Sequence, residues 1–197
     1  MDRTRAREAY ARAWRRFRMD AARWKVQEEV ADADALTGKE ILTLLWRYPS
    51  LRAMAWYRVA SLAKELRVPA LPGILQRRLL RVYGLELLPG ADVEGGLYIA
   101  HPAGVTVVAE RIGRNVTVIA GVTVGYRQGR RWPRLGDGVY LGAGARVLGD
   151  IDVGDGAKIG ANAVVIRDVP AGATAVGVPA TVRGDREHAG ATGDAAG

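Results

Sequence analysis

The chain has 197 residues, no cysteine, two histidines and a net charge of 29 − 21 = +8. Without cysteine there is no disulfide, no thiolate nucleophile and no Cys-ligated zinc. His101 and His188 leave too few imidazoles for a multi-histidine metal site, and with only Ser50 and Ser61, both in helical-looking sequence, a Ser-His-Asp hydrolase is not expected. At 49% hydrophobic and 25% charged the chain can bury a core, and no apolar run of signal-peptide or membrane-span length leads it, so a cytoplasmic protein is expected.

In chain order, residues 1–31 read as a basic amphipathic helical arm. Residues 1–25 carry nine basic side chains against Asp2, Glu8 and Asp20, hence 9 − 3 = +6 of the charge. Tyr10, Trp14, Phe17, Ala21 and Trp24 recur at helical spacing on one face. The stripe suits packing against the rest of the protein or a sister subunit, or docking on a membrane or another anionic partner. Residues 32–84 form a helical segment. Asp34 is the expected cap of LTGKEILTLLWRY, which stops before Pro49; SLRAMAWYRVASLAKELR runs to Pro69, and ILQRRLLRVY ends at Gly84. Glycine marks the boundary that follows, since 23 of 25 glycines stand at or after Gly84, whereas four of five tryptophans precede it.

Residues 85–183 repeat every six. Leu135, Leu141, Val147, Val153, Ile159 and Val165 are evenly spaced, as are Ile112, Val118 and Val124, and Leu87, Val93, Ile99 and Val105. Such a period is neither helical nor simply alternating. It predicts a solenoid whose units are a short strand and a turn, stacked about 4.8 Å apart with the aliphatic residue inward. Two slips break it, seven residues from Val105 to Ile112 and eleven from Val124 to Leu135. The second holds Tyr126-Arg127-Gln128-Gly129-Arg130-Arg131-Trp132-Pro133, a basic, aromatic insertion of the kind that lies on a solenoid's binding face. Residues 184–197, rich in Gly, Ala and Asp, read as a disordered tail. No nucleic-acid module appears, and the excess charge is confined to one helix, so no nucleic-acid partner is expected.

The ladder, the run LGAGARVLGDIDVGDGAKIGANAVV, the closing DVPAGATAVGVPA and the helical SLRAMAWYRVA together resemble hexapeptide-repeat acyltransferases of the serine O-acetyltransferase family, over about residues 32–183. The resemblance implies a left-handed parallel β-helix with an N-terminal α-helical segment. It also implies homotrimers or dimers of trimers, acetyl-CoA as co-substrate between neighbouring coils, no metal, and a place in cysteine biosynthesis. Residue by residue, it makes His101 in Ile99-Ala100-His101-Pro102 the catalytic base and Glu86 the acid that holds its imidazole. Arg131 and Trp132, before Pro133, and Asp34, ahead of the helical segment, become acceptor-binding. Tyr126, Ala143, Gly144, Lys158 and Ala161 become acetyl-CoA contacts. The chain departs from the family pattern in three places: Ala100 and Trp132 stand where the family has aspartate and histidine, and Glu86 where it has aspartate.

On residues alone, His101 is the one histidine outside the tail and the ordinary candidate for a base working near neutral pH. It would take a proton from an acceptor hydroxyl attacking a thioester in a ternary complex. With no cysteine, and neither serine near the coils, a covalent acyl-enzyme is disfavoured. Arg131 favours a carboxylate-bearing acceptor such as serine, whereas Trp132 favours stacking on a sugar. A non-catalytic trimeric scaffold of hexapeptide coils is the third reading.

Overall fold

A computed structural model describes residues 3–25, 36–128 and 131–183. Among these residues four helices precede a β-solenoid: α1 (Arg3–Ala22), α2 (Gly38–Arg47), α3 (Pro49–Glu65) and α4 (Leu71–Tyr83). Asp34 lies outside the described residues. The cap expected there is instead Thr37, whose Oγ1 accepts from the Glu40 N–H (3.3 Å) while Glu40 Oε2 accepts from the Thr37 N–H (2.9 Å). This reciprocal box satisfies two of the amides that a helix start leaves unpaired. Pro49 opens α3 at a position where its missing N–H costs nothing. Gly84 closes α4 in the left-handed region (φ 63°), its N–H donating to Leu80 O at 3.0 Å.

The solenoid is a left-handed β-helix of about five coils with three faces. The first face stacks β1 (Leu85–Leu87), β4 (Val105–Val107), β7 (Thr123–Gly125), β10 (Arg146–Leu148) and β13 (Val164–Val165). The second stacks β2 (Asp92–Val93), β5 (Arg111–Ile112), β8 (Arg134–Leu135) and β11 (Asp152–Val153). On the third, β3 (Tyr98–Ile99), β6 (Thr117–Val118), β9 (Tyr140–Leu141), β12 (Lys158–Ile159) and β14 (Thr174–Gly177) are parallel, and β15 (Ala180–Arg183) returns antiparallel to close the edge. The six-residue ladder sends an aliphatic side chain inward on the faces of each coil, and the first face of the first two coils sends two, Leu85 with Leu87 and Val105 with Val107. In the fourth coil the inward side chains are Val147, Val153 and Ile159, all at most 2% exposed. Each such burial is worth about 1.5–3 kcal/mol. Accordingly, Ile159→Val, which removes one methylene from the third-face column, is expected to cost about 0.5–1.5 kcal/mol. Urea denaturation would show this as a lower midpoint at unchanged slope.

The first slip sits elsewhere than counting places it. Val107, not Val105, pairs with Val124, while Val105 and Val107 pair with Leu85 and Leu87. The interval from Ile99 to its first-face counterpart is therefore eight residues, against six from Val118 to Val124, Leu141 to Val147 and Ile159 to Val165. The two extra residues enlarge the corner that holds His101.

The helices are docked on the first coils by charge as much as by apolar packing. Phe17 and Ala21 of the predicted stripe are buried, and Trp24 is partly so. Tyr10 and Trp14 are 63% and 45% exposed, so within one chain only the lower part of the stripe packs against the fold. They border a 260 Å³ hollow between α1 and α3 with Phe17, Leu45, Val59 and Leu62. Beneath it, Asp20 and Arg58 form a fully buried bidentate pair, Nε to Oδ2 at 2.8 Å and Nη2 to Oδ1 at 3.0 Å. Arg58 also donates to Val93 O and Glu94 O, and Asp20 accepts the Leu97 N–H at 2.9 Å. Arg16 pairs with Glu94 at 2.8 Å. Part of the arm's positive charge is thus spent on the fold. Among the described residues no helix is long and apolar enough to cross a membrane.

Candidate active site

His101 stands exposed on the corner between the third and first faces, in the connection from β3 to β4. The turn around it is closed by Val105 N–H donating to Pro102 O (3.0 Å) and by Gly104 N–H donating to Gly84 O of the preceding coil (3.0 Å). Gly104 has φ 74°, a conformation that a Cβ would strain.

The same corner continues upward as an edge of small residues. Gly121, Ala143-Gly144 and Ala161-Asn162 occupy it in the next coils. Gly144 N–H donates to Ala120 O and Asn162 N–H to Ala143 O, both at 2.8 Å. Ala143 and Ala161 are exposed, so backbone is accessible along the edge and a long, thin ligand could lie against it. Three of the residues expected to contact acetyl-CoA, Ala143, Gly144 and Ala161, share this corner with His101. Lys158 points outward from β12 on the third face, exposed.

Glu86 points outward from β1 on the first face, half-buried, one coil below Thr106. Thr106 Oγ1 donates to Glu86 Oε2 at 3.5 Å, and among the described residues no hydrogen bond joins Glu86 to His101. Thr106 escaped the sequence reading because it becomes a neighbour of Glu86 only when the coils stack, twenty residues apart. Its one signal was an outward polar position on the following coil.

Tyr126, Arg131 and Trp132 lie on the other corner of the first face, in the connection from β7 to β8. Tyr126 meets Trp132 edge-to-face, ring centroids 5.3 Å apart at 84°. Arg131 is exposed, while Pro133 is buried and its carbonyl accepts the Glu110 N–H at 3.0 Å. Within one chain the outward side chains of the first face, Glu86, Thr106, Thr123 and Arg146, therefore separate the His101 corner from the Tyr126–Trp132 loop. Asp34, the remaining acceptor-binding candidate, is outside the described residues, as is His188. Among the described residues no cluster of three or more His, Asp or Glu side chains is placed to hold a metal ion.

Residues 133–167 match the family model described as bacterial transferase hexapeptide (six repeats). The chain is 43% identical over 152 residues to a serine acetyltransferase of Helicobacter pylori, covering 75% of this chain and 87% of that protein. It is 37% identical over 155 residues to one from Synechococcus elongatus, covering 77% of this chain and 62% of that longer protein. Among solved structures, the serine acetyltransferase of Neisseria gonorrhoeae in complex with serine superposes with a TM-score of 0.74 at 32% identity, over 90% of this chain and 72% of that one. The soybean enzyme complexed with serine gives 0.70 at 36% identity, over 89% and 69%.

Proposed function

This chain belongs to the serine acetyltransferase family, and we propose that it transfers the acetyl group of acetyl-CoA to the hydroxyl of L-serine, with His101 as general base. The observation that carries the assignment of the base is the enlarged corner. It leaves the one described histidine exposed at the foot of the small-residue edge along which a CoA arm would lie.

His101 Nε2 takes the serine hydroxyl proton as that oxygen attacks the thioester carbonyl. The tetrahedral intermediate collapses by breaking the C–S bond. The CoA thiolate leaves, and the imidazolium returns the proton to its sulfur, so products are O-acetylserine and CoA–SH. A backbone N–H of the coil wall is the source of oxyanion stabilisation. Glu86, on the adjoining first face, stabilises the transient imidazolium by its charge. Arg131 suits the serine carboxylate because its planar fork pairs bidentately, and Asp34 suits the ammonium. Tyr126, Ala143, Gly144, Lys158 and Ala161 contact the co-substrate, and no metal takes part.

The functional unit is a trimer. The separation of the two corners by a whole solenoid face supports this, because a threefold neighbour can set its Tyr126–Trp132 loop against the His101 corner, closing a site that one chain leaves open. The protein works in the cytoplasm.

The test is CoA thiol release from acetyl-CoA with L-serine, homoserine and a panel of sugars as acceptors. Release with L-serine well above the acceptor-free rate is the expected result. Release with sugars alone would transfer the function to a polysaccharide or sugar hydroxyl, with Trp132 as the stacking platform.

A further inference from the structure

The backbone entering the His101 corner is tethered from outside the solenoid. Trp24, just beyond the end of α1, stacks on Tyr98 of β3 and on Tyr48, the residue that caps α3, with ring centroids 4.7 Å apart in both pairs. Arg23 braces the neighbouring strand, donating to Thr117 Oγ1 and to Asn115 O, each at 2.8 Å. One residue into α3, Ser50 is buried, and its Oγ donates to the carbonyl of Ala100 at 3.0 Å, correcting the expectation that neither serine stands near the coils. The Ala100 N–H donates in turn to Val118 O at 3.0 Å. The residue before His101 thus has its amide fixed by the next coil and its carbonyl fixed by a helix fifty residues earlier.

The corner needs this tether because the corner ladder holds it from one side only: Gly104 N–H reaches Gly84 O below it at 3.0 Å, and among the described residues no such bond reaches it from the coil above. In the later coils an amide-to-carbonyl ladder ties each corner to the next, Gly144 N–H to Ala120 O and Asn162 N–H to Ala143 O. Among the described residues no bond from Gly121 N–H continues that ladder down to the corner of His101, where the two extra residues push the backbone out of register. A freed corner serves an exposed base, but rotation about Ala100 then swings the imidazole. Misplacing a reacting group by about 1 Å can cost roughly 10²-fold in rate.

We propose that Ser50 is a positioning residue for His101: its hydroxyl replaces the missing corner bond, and Trp24 seats the same strand through Tyr98. The proposal rests on the reading of His101 as the base. It also gives the N-terminal helices a catalytic purpose, because they carry the hydroxyl and the indole that hold the corner.

The test uses the full chain with acetyl-CoA and L-serine. Ser50→Ala is expected to lower kcat by about tenfold, the effect of losing one hydrogen bond of ordinary strength, with KM for acetyl-CoA unchanged. Ser50→Thr, which keeps the hydroxyl, restores the rate to near that of the parent. Amide hydrogen exchange over residues 101–104 quickens in Ser50→Ala while that of the later coils does not. If Ser50→Ala fails to fold, Trp24→Leu is expected to give the same loss in kcat at constant KM. An unchanged kcat in Ser50→Ala beside an inactive His101→Ala would overturn the positioning role while leaving the base in place. A fall in kcat matched by a rise in KM and a lower melting midpoint would make Ser50 merely structural. A fully active His101→Ala would remove the base reading itself, and the positioning role with it.

Discussion

Replacing His101 by alanine is expected to lower kcat for serine acetylation by about 10²- to 10⁴-fold, the usual contribution of a positioned general base. The range reflects what remains, since proximity and oxyanion stabilisation still act on bound substrates. Among the described residues there is no second imidazole to substitute. Cysteine is absent, His188 is the only other imidazole, and both serines lie in α3. Ser50, the one nearer the coils, has its hydroxyl committed to Ala100 O. KM for acetyl-CoA is expected to stay within about twofold, because the small-residue edge that would bind the co-substrate lies on other coils and His101→Ala removes no packing there. The melting midpoint should not move, as His101 is exposed and among the described residues its side chain makes no hydrogen bond. Loss of rate with both KM and midpoint preserved is the outcome that identifies chemistry rather than folding. Retention of the rate would place the base on the water or on another subunit's side chain.

The same residue shows how far sequence can carry a site. His101 was legible because composition left it no competitor, and the ladder was legible because every coil repeats one physical demand, an aliphatic side chain pointing inward. Position within the ladder was less secure. Val105 and Val107 are both aliphatic and both buried, so counting sixes stops at Val105, whereas pairing with Val124 selects Val107. Only stacking of coils reveals that the surplus residues belong to the histidine's own corner. Contacts between coils or between helix and coil were illegible for the same reason. Thr106 beside Glu86, Trp24 on Tyr98 and Ser50 on Ala100 O join residues twenty to seventy-four apart with no local pattern. At the start of α2 the expected cap was Asp34, whereas the helix is capped by the reciprocal box between Thr37 and Glu40, which satisfies two amides. Charge misled most. Asp20 and Arg23 of the basic arm and Arg58 of α3 stand in no local pattern that marks them as interior, yet all three are buried.

That buried charge carries the second large effect. Arg58→Met is expected to destabilise the protein by about 3–5 kcal/mol, because it leaves a carboxylate uncompensated in the interior. Asp20 is wholly buried, and burial already pushes its carboxyl above the ordinary range while Arg58 pulls it back. Without the guanidinium the upward push is opposed only by the backbone amides of Leu97 and Gly96. A carboxyl whose pKa is raised in the folded state binds its proton more tightly there than in the unfolded chain, where it titrates near ~3.9. Its stabilising contribution is complete below that value and is lost as pH rises through the folded value. The deficit of Arg58→Met relative to the parent should therefore be smallest near pH 4 and grow toward pH 8, read from urea midpoints across that range. Removing both charges, as in Asp20→Leu with Arg58→Met, should recover part of the loss, since no buried carboxylate then remains. Recovery should be incomplete. Val93 O and Glu94 O lose their Arg58 donors, and the Leu97 N–H loses its Asp20 acceptor, three backbone groups where the helices meet the first coil. A deficit independent of pH would show that the pair acts by packing alone. A double variant as stable as the parent would show that the three backbone bonds contribute nothing to docking the helices.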